Sequence, residues 1–219
     1  MQEKNNYPER SFSKLRVLNL YSGIGGNRKL WQDVEVTAVE INPEIAKIYA
    51  NNFPDDELII GDAHQYLLDH HDCFDFIWSS PPCPSHSRIN TDGNHAARYP
   101  EMSLYQEIIM LGNNWYKGKW VVENVVPYYN PLIRPSVEIA RHYFWCNFNV
   151  NKISVKKEKP ISKQTGTDGR YGFNLKDVSV KYDKRQILRN LVDPEIGLHF
   201  LNRARDIQDS ENITEQKLF

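Results

Sequence analysis

A chain of 219 residues with 40% hydrophobic and 25% charged side chains fits one globular domain with a real core, or one domain plus a small appendage. Its formal net charge of −1 gives no global electrostatic signal for nucleic acid, so any such contact must come from a local basic patch. Three unpaired-looking cysteines, no run of membrane-span length and a polar Met1–Ser13 without a signal-peptide core argue against a disulfide scaffold, a membrane protein and a secreted one, and a cytoplasmic location is expected.

Leu15–Leu20 reads as a strand, followed by Tyr21-Ser22-Gly23-Ile24-Gly25-Gly26 and a helical stretch to about Trp31. Strand, glycine turn and helix would bring backbone N–H groups against a ligand. The spacing is neither the dinucleotide fingerprint nor a phosphate loop. Glu35–Glu40 is a second strand that ends in an acid. Glu40 suits ribose hydroxyls, or caps the helix opened by Ile41-Asn42-Pro43. Glu44–Asn52 reads as helix, and Glu57–Ile60 as a third strand leaving through Gly61-Asp62-Ala63. Asp62 is a ligand for a base edge, the cap of the next helix, or both. Asp69-His70-His71-Asp72 suits no common zinc spacing and reads as a solvated helix end, so no metal is expected.

Phe74–Trp78 is a buried strand ending in Ser79-Ser80-Pro81-Pro82-Cys83. Proline fixes the backbone, so Cys83 leaves the sheet at a defined point, as a candidate nucleophile or as an incidental turn cysteine. A long polar loop follows, then a helical period over Met102–Trp115. Lys119–Val125 is another buried strand, in which Glu123 is an acid beside Cys83 or a loop cap. Tyr21, Glu40, Asp62 and Cys83 all fall near strand carboxyl ends, the ligand edge of an open parallel sheet. An α/β sheet with one site is expected. Lys152–Arg185 carries ten basic and four acidic side chains, including Lys156, Lys157 and Arg170; it tracks a phosphate backbone or is a solvated hairpin.

In this order the motifs resemble those of the cytosine-5 DNA methyltransferases. Leu18–Gly26 is similar to the family's first motif, Val39–Pro43 to the second, Gly61–Ala63 to the third, Ser80–Cys83 to the catalytic-cysteine motif and Val122–Val125 to the catalytic Glu-Asn-Val. Arg189–Pro194 resembles the last motif, with Arg189 in place of its usual glycine. Pro84 stands where the family has glutamine. Arg141 matches the last arginine of a Gln-x-Arg-x-Arg motif whose other positions hold Val137 and Ile139. About 35 residues, Asn149–Asp183, stand in place of a recognition domain, as in the short phage and prophage members.

The resemblance implies a Rossmann-like methyltransferase sheet with helices on both faces and a very small recognition insert. It divides the chain into a catalytic core (1–148), a basic insert (149–185) and a return segment with a polar tail (186–219). The implied activity is DNA cytosine-5 methylation in a bacterial or phage-infected host, within a restriction-modification setting. The cofactor would be S-adenosyl-L-methionine, held by Tyr21, Ser22, Gly23, Gly25, Gly26, Glu40, Ile41, Asp62, Ala63, Pro82, Asn190 and Val192. Cys83 would add to carbon 6 of a flipped cytosine, in a site favouring the thiolate, while Glu123 and Arg141 stabilise the ring. Ser87, Arg88, Lys156, Lys157 and Arg170 would meet the phosphates of double-stranded DNA. A separate recognition subunit or self-association would supply missing reading surface. An RNA substrate, or a decoy or split-enzyme subunit that binds DNA or S-adenosylmethionine without turnover, are the alternatives.

Overall fold

The computed structural model describes residues 14–83, 86, 101–156 and 169–205. Ser87, Arg88 and Lys157, expected to meet phosphate, lie outside the described residues, as does the polar tail.

Seven strands make one sheet: β1 (Leu15–Leu20), β2 (Val34–Glu40), β3 (Glu57–Ile60), β4 (Phe76–Ser79), β5 (Lys119–Val125), β6 (Val137–Ile139) and β7 (His142–Cys146). Their spatial order is β3-β2-β1-β4-β5-β7-β6. The first five run parallel, and β7 lies antiparallel between β5 and β6. The helices are α1 (Pro43–Asn52), α2 (Ala63–His70), α3 (Ser103–Gly112), α4 (Lys184–Arg189) and α5 (Pro194–Ala204). This is a Rossmann-like α/β sheet with both faces covered.

The two-residue alternation of a strand sorts the core onto two faces. Leu18, Leu20, Ile77, Val122 and Trp145 pack with Leu67 of α2 and with Leu104, Ile108 and Leu111 of α3. Val17, Phe76, Trp78, Val121 and Phe144 pack with Ile196, Phe200 and Leu201 of α5. Phe200 lies 4.6 Å from Phe144 and 5.7 Å from Trp78, centroid to centroid. Such ring pairs each add about 0.5–1.5 kcal/mol beyond area burial.

The helix expected after Gly26 does not form; residues 24–30 make successive turns. Arg28 explains this: its guanidinium donates twice to Asp56, at 2.9 and 2.8 Å, and once to the carbonyl of Trp31 at 2.8 Å. Trp31 is buried against Phe76 and Trp78. A carbonyl and a side chain so engaged fit the turn and not a helix. In the opposite direction, α4 arises inside a stretch that shows no clear helical period. Asp183 caps it by accepting from the Arg185 N–H at 3.0 Å.

Strand order reverses between β1 and β4, so a crevice opens at their carboxyl ends. Tyr21 leaves one side of it and Ser80–Cys83 the other.

Candidate active site

On the β1 side, Tyr21 takes a left-handed conformation (φ 54), rare for an aromatic residue. Its hydroxyl is fixed 2.5 Å from Glu107 Oε1, to which it donates. Glu107 is fully buried on α3, where it also accepts from the Ser79 hydroxyl and meets His64 Nδ1 at 3.4 Å. Burial raises the pKa of this carboxyl, against the hydrogen bonds that lower it. One buried acid thus ties α3 to the ends of β1 and β4.

Gly23 (φ 56) follows, with open space where a side chain would stand. Its N–H donates to Glu40 Oε2 at 3.0 Å, and the Asn42 N–H donates to Glu40 Oε1 at 2.9 Å. Glu40 is therefore not the helix cap; Asn42 caps α1 through the N–H groups of Glu44 and Ile45. Burial raises the Glu40 pKa and these backbone donors oppose the rise. Each oxygen keeps a lone pair for a further donor. Ile41 is 66% exposed at the lip, and Ser22 Oγ is buried without a hydrogen-bond partner among the described residues. Asp62 caps α2 by accepting from the Gln65 N–H at 2.9 Å and stays exposed. An open glycine, an acceptor pair, an unpartnered hydroxyl and an apolar lip fit an adenosyl group.

Other residues expected here face inward. Ala63 is buried in the core of α2. A methyl on Gly25 would meet Phe53 at 2.2 Å, and one on Gly26 would meet the Val192 carbonyl at 2.6 Å. These two glycines thus admit a neighbouring ring and the return segment. Val192 is buried, while Asn190 is exposed at the end of α4 and accepts from Gln186 Nε2 at 2.7 Å. Arg189, in the place of the family's glycine, completes α4 without a break.

On the β4 side, Pro82 is exposed and Cys83 half-buried. Asn124 Nδ2 donates to the Pro81 carbonyl at 3.0 Å, which ties the cysteine loop to the end of β5. The adjacent Glu123 is buried, bonded by the Ser80 hydroxyl and 3.5 Å from His142 Nε2. Burial pushes its pKa up to about 7. The expectation that the site favours a thiolate is reversed: burial, then the Glu123 charge, push the Cys83 thiol up, and Arg141 opposes this only in part. Two anions side by side out of water are disfavoured, so a proton on Glu123 eases thiolate formation.

Arg141 lies in the loop between β6 and β7, preceded by Ala140 at φ 55. Its Nη2 donates to the Arg189 carbonyl at 2.5 Å. Its charge reaches both Glu123 and Cys83. Val137 and Ile139 pack in the sheet core, where arginine would have no water. Lys156 is exposed. Arg170 opens a two-residue turn, Tyr171 (φ 51) and Gly172 (φ 76), closed by paired hydrogen bonds of 2.9 and 2.8 Å with Phe173. Lys29 donates to the Tyr171 carbonyl and lies 4.4 Å over the Phe173 ring, so this turn docks on the glycine turn. Arg170 carries charge toward Arg141 and His142.

Sequence reasoning placed Asn124 in the Glu-Asn-Val motif without a role of its own, and gave none to Glu107 or His142. Glu107 had a signal: it sits on the apolar stripe of Leu104, Ile108 and Leu111. His142 had a weaker one, as a polar residue opening an aromatic strand.

Comparison with known proteins bears on this geometry. The family model described as C-5 cytosine-specific DNA methylase matches residues 15–126. The tRNA (cytosine(38)-C(5))-methyltransferase of Rattus norvegicus is 33% identical over 98 residues, 42% of this chain and 25% of that protein. That of Homo sapiens is 34% identical over 87 residues, 36% of this chain and 22% of that protein. The chain thus matches about a quarter of the length of these curated relatives. The crystal structure of a Spodoptera frugiperda DNMT2 mutant is 30% identical with a TM-score of 0.35, covering 51% of this chain and 35% of that one. A SAM dependent methyltransferase from Agrobacterium tumefaciens is 18% identical with a TM-score of 0.37, covering 53% and 40%.

Proposed function

The chain belongs to the C-5 cytosine-specific DNA methylase family, and we propose that it methylates carbon 5 of cytosine in double-stranded DNA. S-adenosylmethionine is the cofactor, and when bound it supplies an electrophilic methyl group. Glu40, Gly23, Ser22 and Ile41 would hold its adenosyl part. The observation that carries the proposal is the juxtaposition of Cys83 and Glu123, joined through Asn124 and Pro81.

Cytosine carbon 5 is a poor nucleophile. The Cys83 thiol releases its proton to solvent and its sulfur adds to carbon 6, while Glu123 gives its proton to ring nitrogen 3, so that electron density gathers at carbon 5. Arg141 balances charge on the Cys83–Glu123 pair. Loss of the carbon 5 proton to solvent after methylation, with return of the nitrogen 3 proton to Glu123, reverses the addition and expels Cys83. The target base must leave the helix for this attack.

A second reading keeps the chemistry and takes RNA as substrate. It is favoured by the names of the two curated relatives, both tRNA methyltransferases. Methyl-labelled S-adenosylmethionine incubated with unmethylated duplex DNA and, separately, with tRNA separates the two by nucleoside mass spectrometry. 5-Methyldeoxycytidine from DNA, lost by at least about a thousandfold in Cys83→Ser, is expected. Label in tRNA alone selects the second reading. Cofactor binding without product on either overturns both.

A further inference from the structure

His142 is a buried titratable group that the mechanism above does not use. It opens β7 on the α5 side of the sheet. In the β5–β7 register Glu123 faces Phe144 and Val125 faces His142, which makes Glu123 and His142 diagonal neighbours on one face. His142 Nε2 stands 3.5 Å from Glu123 Oε1, and both side chains are less than a tenth exposed. The other ring nitrogen, Nδ1, is buried without a partner among the described residues.

We propose that His142 is a positioning residue for the catalytic acid, holding Glu123 Oε1 with its Nε2–H so that the acid proton resides on Oε2. This rests on the reading of Glu123 as that acid. The tautomer follows from the unpartnered nitrogen: a bare lone pair at buried Nδ1 costs less than an orphaned N–H there. The proton is therefore on Nε2, the nitrogen that faces the carboxyl. When Glu123 passes its Oε2 proton to ring nitrogen 3, Oε1 becomes anionic and the same N–H stabilises it. The 3.5 Å approach then shortens to a charge-assisted bond. No proton leaves the imidazole.

The groups facing this pair fix its charge state. The Ser80 hydroxyl bonds Glu123, and the Cys83 thiol shares its field. Burial keeps the His142 ring neutral, and the positive charges of Arg141 and Arg170 add to this. A neutral donor beside the acid lets the carboxyl retain its proton at neutral pH, as an imidazolium there would not.

The test is a carboxyl titration by 13C NMR on glutamate-labelled protein without cofactor or nucleic acid, with the Glu123 signal assigned through Glu123→Gln. In His142→Phe the Glu123 midpoint should rise by roughly one pH unit, the worth of one lost hydrogen bond to a carboxylate. His142→Gln, which keeps an N–H donor, should leave it near the wild-type value. His142→Leu is the second donor-free variant should the phenylalanine variant not fold. In methyl transfer the donor-free variant should show about a tenfold lower kcat with unchanged KM for S-adenosylmethionine. An unmoved Glu123 midpoint in a folded donor-free variant overturns the proposal. Absence of methyl transfer by the wild-type protein overturns the proposed function instead, and the titration still decides whether His142 holds the carboxyl.

Discussion

Glu123 is the residue whose chemistry and stability are most tightly linked. Its folded pKa stands near 7 against an ordinary 4.5. Below pH 4.5 the carboxyl is protonated whether the chain is folded or not, and the site exacts nothing. Between these values only the unfolded chain ionises it, so stability falls as pH rises, and above pH 7 the loss is complete. The size is on the order of 3 kcal/mol, from about 1.4 kcal/mol per unit. Glu123→Gln keeps the shape and cannot ionise. Urea unfolding at pH 5 and pH 8 should therefore show the variant gaining on the wild type at the higher pH. Equal differences at both pH values would mean that Glu123 is solvated and not poised as an acid. Glu40 and Glu107, also raised by burial, are present in both proteins and cancel in the comparison.

Among the elements, α5 depends on one close approach. Gly197 lies inside this helix, one turn from its start, where alanine is ordinarily better by about 1 kcal/mol. Here an added methyl would stand 2.0 Å from the Asn27 carbonyl oxygen, a backbone atom that cannot swing aside. Gly112, at the end of α3, has only an ordinary contact of 3.7 Å with Trp120. Gly197→Ala should thus lower Tm by about 5–10 °C, as a strain of about 2–3 kcal/mol in a domain of this size implies, and Gly112→Ala should not. It should also weaken S-adenosylmethionine binding, because Leu191–Val192, which lead into α5, pack against Gly26. A calorimetric melt and a titration on both variants check this, and equal melting temperatures would count against it. The strands were legible because burial on both faces leaves short continuous apolar runs, as in Phe76–Trp78 and Trp120–Val122. Cys83, Glu123 and Glu40 were legible because they stand at the ends of those runs. Residues 24–30 and α4 were not, since Asp56 and a cap at Asp183 decide them. Nor were Glu107 and His142 assigned, because what they touch comes from distant stretches: Tyr21 is 86 positions from Glu107, and Glu123 meets His142 only once β7 pairs with β5.

At the scale of the whole molecule, the described apolar side chains of the insert pack against the core. The carbonyl of Asn149 accepts from Arg203 and that of Asn151 meets His199, both at 3.0 Å, while Val150, Ile153 and Val155 pack beside α5. Further on, Phe173 and Leu175 are buried with Ile24, Ile187 and Leu188. Side chains engaged in this way are not free to enter a groove. Reading a base pair takes a donor and acceptor set in the major groove, each good bidentate contact discriminating by about 1–3 kcal/mol. The exposed basic side chains among the described residues of the insert, Lys152, Lys156, Lys176 and Lys181, are all lysines, point charges that lend themselves to phosphate and not to bidentate base contacts. Affinity for DNA should therefore come mainly from charge, fall steeply with salt and discriminate little between sequences. Methylation of a randomised duplex library, mapped at single-base resolution, should show cytosines modified in a short or relaxed context. Modification confined to one long, strictly defined site would instead require reading surface from a second subunit or a second copy of the chain, and sedimentation of the active species would then show an assembly larger than one chain.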